Sequence, residues 1–357
     1  MAKTWKDIDY DRLVSMQRIE RAVWNAGKDK RQTVSYIKYS QDLKKQVSLH
    51  RDLVSGEYRH KMTSDKEIFD PKAGKFRTIR RPCFRDQIVH HLLVLELEPY
   101  MKRYIIQHNI ACIPKRGNEY GRALVKRWTQ NPKRQTRWVV QGDVSKYYEN
   151  AQSDILMDFF RRKVRDKRVL ALLQQICDTY TNGFVLGYYI SQWFGAIYLA
   201  SLDNMVKHEL RIKHYIRYVD NIVLVVGTKK QAYHALGKIQ AHLKGLGLTL
   251  KCGGRECHRV YKWAEQPIDF IGYRTHRDGF QELRKSSYLR LIRSVRRVSR
   301  GGRCSLAQAR SILSRRGMFL KTDCAALKLN IDAVIKQYRM RRIISNYDKQ
   351  KNKQFAC

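Results

Sequence analysis

The sequence predicts an α+β chain, with a small antiparallel sheet backed by helices. Two apolar runs carry that reading. Thr136-Arg-Trp-Val-Val-Gln-Gly-Asp143 reads as a buried strand that ends in an acid. Tyr215–Val226 reads as two apolar strands around a polar dipeptide, a β-hairpin with Asp220-Asn221 at its turn. The segments between and around these runs have helical spacing of their apolar residues.

Residues 1–60 are polar, with Tyr36, Tyr39, Leu43, Val47 and Val54 at helical intervals. Residues 61–84 form two short extended segments joined at Lys72-Ala-Gly-Lys75. Pro82 restricts the backbone, and a helix starts near Arg85, carrying Ile88, Leu92, Leu95 and Leu97 toward Tyr104. Gly117 and Gly121 bracket the start of a helix whose body is Arg122–Thr129. Helices follow over 152–164 and 167–180. Ser191 to Leu210 reads as one long helix with Trp193, Ile197, Leu202 and Val206 inward. After the hairpin come a helix at 229–245 and strands near 247–251, 259–263 and 268–274. From Leu283 the chain is basic and helical, with a break at Gly301-Gly302 and a loose tail after Tyr347.

Charge narrows the function classes. Of 357 residues, 72 are Lys or Arg and 32 are Asp or Glu, a net of +40. A compact chain with that surplus repels itself unless a polyanion neutralises it, as phosphate backbones do with release of counterions. Arg and Lys mixed with Tyr and Trp is the pattern of nucleic-acid contact. The N-terminus lacks an apolar signal core, and no apolar run approaches membrane length, so no membrane association is expected. The 8 cysteines are scattered, which predicts reduced thiols and a cytoplasmic setting. Cys252-Gly-Gly-Arg-Glu-Cys257-His258 is the one cluster, and it lacks the second paired spacing of a zinc site.

Two acids stand out. Asp143 ends one strand and Asp220 sits at the tip of the hairpin. If those strands are neighbours, both carboxylates converge on one point at the sheet rim. Converging carboxylates repel unless a cation lies between them, and Mg²⁺ held by one or two carboxylates plus substrate phosphates is the ordinary arrangement. Two such ions about 3.5–4 Å apart activate an attacking oxygen and stabilise a leaving one.

The order of short motifs resembles a known family. Gly142-Asp-Val-Ser-Lys-Tyr-Tyr148 resembles polymerase motif A, Gly187-Tyr-Tyr-Ile-Ser191-Gln192-Trp-Phe motif B, and Tyr218-Val-Asp-Asn221 motif C. Leu246-Gly-Leu-Thr-Leu-Lys251 resembles motif D and Phe270-Ile-Gly-Tyr273 motif E. Upstream, Lys75-Phe-Arg77 and Arg85-Asp-Gln-Ile-Val-His90 resemble the finger motifs. The set is complete over residues 65–300 and is similar to bacterial reverse transcriptases. Ser191-Gln-Trp-Phe with Leu202-Asp203, and Phe270-Ile-Gly-Tyr273 with Leu283-Arg-Lys-Ser-Ser287, most resemble those of diversity-generating retroelements. Retron, group II intron-like and phage-defence reverse transcriptases are near relatives.

The resemblance implies a right-hand polymerase fold: fingers, a palm with a small antiparallel sheet, and a helical thumb. It divides the chain into an N-terminal helical extension (1–60), fingers (61–135), palm (136–275, with finger-side helices inserted near 152–182), basic thumb (276–345) and tail (346–357). It implies that Asp143 and Asp220 bind two Mg²⁺ ions, with Mn²⁺ as an alternative, and that the Val144 carbonyl joins them. Lys75 and Arg77 resemble the cations that clamp a dNTP triphosphate, and Gln192 the residue near the nascent base pair. Tyr148 falls at the aromatic gate that rejects a ribose 2′-hydroxyl, and Lys251 at the lysine that protonates pyrophosphate. Arg284, Lys285, Arg290, Arg293, Arg296 and Arg297, in a stretch (284–303) without an acid, are expected to track an RNA/DNA duplex. A structured RNA template and a small oligomeric accessory protein are the implied partners. One departure is plain: the family's second motif C aspartate is Asn221 here, so the carbonyl oxygen remains and the charge is lost. The rival reading is an RNA-binding protein that keeps the scaffold without the chemistry. An RNA-dependent RNA polymerase is disfavoured by Tyr148.

Overall fold

The computed structural model describes residues 4–28, 30–62, 65–70, 75–180, 183–252, 258–324 and 328–353. Two compact units interleave along the chain. The first holds Met1–Pro114, Gln141–Ile222 and His234–His258, and the second Lys115–Val140, Val223–Tyr233 and Arg259–Cys357.

In the first unit the N-terminal helices are Tyr10–Val14, Met16–Ala26, Val34–Ser40 and Leu43–Val54. Asp9, Thr33 and Asp42 cap three of them by accepting backbone N–H groups. Of the residues at helical intervals, Tyr39 is buried and Leu43, Val47 and Val54 are exposed, while Leu49 and Leu53 turn inward. The long helix Phe84–Tyr104 follows Pro82 and buries Ile88, Leu92, Leu97 and Met101. Strands β1 (Asp65–Asp70) and β2 (Lys75–Arg80) pair antiparallel, with Ile68 opposite Arg77. The expected joint at Lys72-Ala-Gly lies outside the described residues.

Helices Ser153–Lys163 and Lys167–Asp178 match the expected pair. The long helix expected over 191–210 is instead broken into Tyr189–Tyr198, Ala200–Asn204 and a π-helical turn at Met205–Glu209. Its cause is visible. Arg217 Nη2 donates to the Ala196 carbonyl at 3.2 Å, and a side chain inserted into the ladder kinks a helix.

β3 (Trp138–Asp143), β4 (His214–Tyr218), β5 (Asn221–Val226) and β6 (Arg259–Lys262) form a sheet in the order β4-β5-β3-β6. The strand expected at 247–251 reduces to one bridge, Val144 opposite Leu250. Backbone bonds from Leu246 and Leu248 to the Leu243 carbonyl tie that segment to the end of the helix Lys229–Gly245 instead.

In the second unit a helix spans Asn118–Trp128 with Gly117 at its N-cap, so it starts within the expected Gly117–Gly121 bracket. Strands β7 (Ile268–Phe270), β8 (Tyr273–Thr275) and β9 (Gln281–Leu283) form an antiparallel meander. The helix Lys285–Gly301 buries Leu291, Val295 and Val298 in one cluster with Ala309, Ile312 and Phe319. Gly302 ends it at φ +63, the left-handed conformation a C-terminal glycine supplies. A capping box at Ser305 and Gln308 starts the next helix, Leu306–Phe319. The tail is not loose up to Lys353. Met340–Lys353 is helical, and Arg310 both pairs with Asp348 at 3.1 Å and lies over the Tyr347 ring.

Candidate active site

The site is built where β3 ends, entirely from the first unit. The Asp143 carbonyl accepts from Lys251 N at 2.8 Å, and Ser145 N donates to the Thr249 carbonyl at 2.8 Å. Val144 therefore faces Leu250 as a non-hydrogen-bonded antiparallel pair. In such a pair the residue's own N–H and C=O point away from the partner strand. The Val144 N–H does so by donating to the Asp220 carbonyl at 3.0 Å, so the Val144 carbonyl lies on that same side. Gly142 lets this approach happen, since a Cβ there would stand 3.2 Å from His258 Cβ. The Asp143 side chain is 15% exposed and forms an ion pair with the Lys251 ammonium.

Asp220 is presented by a strained turn. The turn residues are Val219 and Asp220, with Asn221 the first residue of β5; the expected Asp220-Asn221 turn is shifted back by one position. Val219 has φ +56. That is the conformation of the first central residue of a type II′ hairpin turn, where glycine is normal. For a β-branched side chain it costs about 1–3 kcal/mol and persists only where the surroundings hold it.

The surroundings here are Arg217 and Asp203, a pair fully buried on both sides. Arg217 Nε and Nη2 bond Asp203 at 2.7 and 2.6 Å, and Nη1 donates to the Val219 carbonyl at 2.7 Å. The Tyr215 hydroxyl donates to Asp203 at 2.6 Å. Sequence reasoning did not single out this pair. The available signal was an arginine inside an apolar strand and an aspartate inside an apolar helix, because fully buried charges are nearly always paired.

Asn221 Oδ1 is buried and has no hydrogen-bond partner. An orphaned carbonyl oxygen, two carboxylates and the Val144 carbonyl make an all-oxygen donor set, and such a set fits Mg²⁺. Beside it, burial, then Cys112 and then Asp220 push the Tyr148 hydroxyl well above its ordinary range. Tyr148 packs on the motif B helix: a Cβ on Gly195 would lie 3.2 Å from Tyr148 Oη, and Tyr147 Oη donates to the Gly195 carbonyl at 2.5 Å. Within that helix Ile190–Tyr198 are buried except Gln192, which is exposed.

The other expected site residues stand as follows. Arg77 is exposed on β2. Lys75 opposes Asp70 in register, and its side chain lies outside the described residues. In the second unit Lys285, Arg293, Arg296 and Arg297 are exposed and Arg290 is half-buried. Arg284 differs from them, because it pairs with Asp269 at 2.7 Å and so spends its charge within the protein. Cys252 is exposed with a free thiol, and Cys257 lies outside the described residues. Among the described residues no group of three or more His, Cys, Asp or Glu is placed to hold a metal ion, and no helix is long and apolar enough to cross a membrane.

Comparison with known proteins identifies the family. The profile of the family "Reverse transcriptase (RNA-dependent DNA polymerase)" matches residues 65–275. Protein YkfC of Escherichia coli K12 is 29% identical over 127 residues, which is 35% of this chain and 33% of that protein. Nuclear intron maturase 1, mitochondrial, of Arabidopsis thaliana is 28% identical over 104 residues, 28% of this chain and 14% of that protein. The matches thus span a third or less of these relatives. Among solved structures, telomerase from Candida albicans in complex with a telomeric RNA fragment is similar at a TM-score of 0.49 and 11% identity, over 84% of this chain and 59% of that one. The family match covers more than half of the chain and all of the residues that build the site. The chain belongs to the reverse transcriptase family and has its right-hand polymerase fold.

Proposed function

We propose that this chain is an RNA-directed DNA polymerase that adds dNTPs to a primer 3′-hydroxyl on a structured RNA template. The observation that carries the reading is the Val144–Asp220 backbone bond, which draws the two aspartates of motifs A and C to one rim. Two divalent ions, Mg²⁺ or Mn²⁺, supply the charge stabilisation for in-line attack and pyrophosphate departure. Asp143, Asp220 and the carbonyl oxygens of Val144 and Asn221 are the groups that hold them. Tyr148, braced against Gly195, excludes a 2′-hydroxyl by its bulk. Gln192 stands at the nascent pair, and Lys75 and Arg77 hold the triphosphate as point charge and fork. Lys251, paired with Asp143, would give up that carboxylate to the ions and be placed to protonate the departing pyrophosphate.

The exposed arginines of helix Lys285–Gly301 track the RNA/DNA duplex. The residues of motifs B and E support a diversity-generating retroelement as the setting, with a small oligomeric accessory protein as partner. The free thiols of the described cysteines support a cytoplasmic location. Asn221 favours a second reading, an RNA-binding scaffold with weakened chemistry. One experiment separates the two. Primer extension on a primed RNA with Mg²⁺ or Mn²⁺ should proceed with the native chain and be lost in Asp143→Ala, while RNA affinity stays within about twofold, as expected for a residue whose role is at the chemical step. Extension by neither protein, at any cation concentration, supports the scaffold; near-normal extension by Asp143→Ala removes the motif A assignment.

A further inference from the structure

We infer that Arg217 is a positioning residue: by holding the Val219 carbonyl it fixes the direction of the Asp220 carboxylate, and with it the cation site. The inference rests on the polymerase reading for its consequence in catalysis, and on the first unit alone for its geometry.

Asp220 sits between two peptide groups, and each is pinned. The peptide before it is held at the Val219 carbonyl by Arg217 Nη1 at 2.7 Å. The peptide after it is held at the Asp220 carbonyl by Val144 N at 3.0 Å. Fixing both planes fixes the backbone angles of Asp220, so the carboxylate leaves the turn in one direction. Without the first anchor, Val219 has no reason to keep φ +56, a conformation valine avoids.

Arg217 is itself over-determined. Its guanidinium places Nε and Nη2 on Asp203 and still donates to Ala196 and Val219. Asp203 takes a further bond from Tyr215 Oη. The Arg217 backbone is tied on both sides, its N–H to the His108 carbonyl and its carbonyl to Ile110 N, each at 3.0 Å. The planar fork offers five donors, enough to hold the carboxylate at both oxygens and still reach two carbonyls, where a lysine offers three. A buried ion pair is weak evidence for stability, since well-packed apolar residues often serve as well. One whose Nη1 is aimed at the strained residue before Asp220 has a more specific use.

The test uses the full chain and four variants: Arg217→Lys, Val219→Gly, the pair combined, and Tyr215→Phe. Mn²⁺ binding is read by electron paramagnetic resonance without nucleic acid, with Asp143→Ala as the blank. Primer extension gives kcat and the dNTP KM. Arg217→Lys keeps the charge opposite Asp203 and loses the bond to Val219. It should weaken Mn²⁺ binding and lower kcat by about 10–100-fold, the usual cost of losing an outer partner of a metal ligand. The dNTP KM should stay near native.

Adding Val219→Gly should restore most of both losses, because glycine holds a positive φ without a clamp. A merely structural role for Arg217 gives no such rescue. Native Mn²⁺ affinity in Arg217→Lys overturns the inference, and so does a loss that Val219→Gly leaves untouched. If Arg217→Lys does not fold, Tyr215→Phe decides: it removes one hydrogen bond from Asp203 and should shift Mn²⁺ affinity the same way, whereas native affinity overturns the inference. A native chain that binds Mn²⁺ with this variant pattern yet never extends a primer leaves the positioning role standing and ends the polymerase reading.

Discussion

The backbone N–H of Val144 donates to the carbonyl oxygen of Asp220 at 3.0 Å. This bond joins the residue after the motif A aspartate to the motif C aspartate itself. It explains why two acids far apart in sequence share a rim, and it leaves the Val144 carbonyl on the same side. The groups around that junction set how the site responds to substitution.

Asn221→Asp tests the missing charge. The Asn221 oxygen is buried and has no hydrogen-bond partner, so an added carboxylate charge there finds no donor already aimed at it. The cation-free variant should melt below the native chain. With cation the sign reverses: one more negative charge about 4 Å from a cation adds about 1–4 kcal/mol of attraction per unit charge, depending on the local dielectric. Half-saturating Mn²⁺ in primer extension should fall at least about fivefold, and the rate of dNTP addition should rise. An unchanged or higher Mn²⁺ requirement shows a site already tuned to the amide.

Tyr148→Ala tests sugar selection. The ring rests on a helix position where even a Cβ would come within 3.2 Å of its hydroxyl, so its place is set by packing. Removing the ring opens room beneath a 2′-hydroxyl. Ribonucleotide incorporation relative to dNTP should rise about 10-fold or more, the range over which a pocket discriminates one small group by bulk. A ratio that does not move assigns the exclusion to another residue.

The basic helix makes a contrast between neighbours. Arg293, Arg296 and Arg297 are exposed, and no described carboxylate pairs with them, whereas Arg284 is committed to Asp269. Replacing the first three with Gln should flatten the log–log salt dependence of duplex binding, by about 0.9 for each phosphate that is no longer neutralised. Arg284→Gln should lower thermal stability and leave that slope unchanged. The reverse pattern moves the duplex away from this helix.

Much of this molecule was legible from residue order. The strand ending at Asp143, the hairpin around Asp220 and the helix Lys229–Gly245 follow from apolar period and turn chemistry, which act over a few residues. The strong positive charge and the motif series pointed to a polymerase of nucleic acid in the same way. Where local reading went wrong, a distant group had intervened. The helix expected over 191–210 is interrupted where Arg217 reaches the Ala196 carbonyl from strand β4. The hairpin turn moved by one residue because Arg217 holds the Val219 carbonyl and makes a positive φ at valine tolerable. The tail's helix packs Met340, Ile343 and Ile344 on the apolar cluster, and Arg310 meets its Asp348 and Tyr347.

By itself the sequence determined which residues are acidic, basic and apolar, and therefore the elements, the two aspartates and the missing third charge. It also carried the family, because the motifs keep their order whatever their spatial placement. Only the tertiary structure decided that Val144, next to Asp143, donates to the Asp220 carbonyl, and that Asn221 has a buried oxygen with no hydrogen-bond partner. It alone revealed that Arg217 and Asp203 belong together. The physical reason is range: turn and periodicity signals act within a few residues, whereas a buried arginine is satisfied by whatever carboxylate and carbonyls the folded chain brings to it, however distant in sequence.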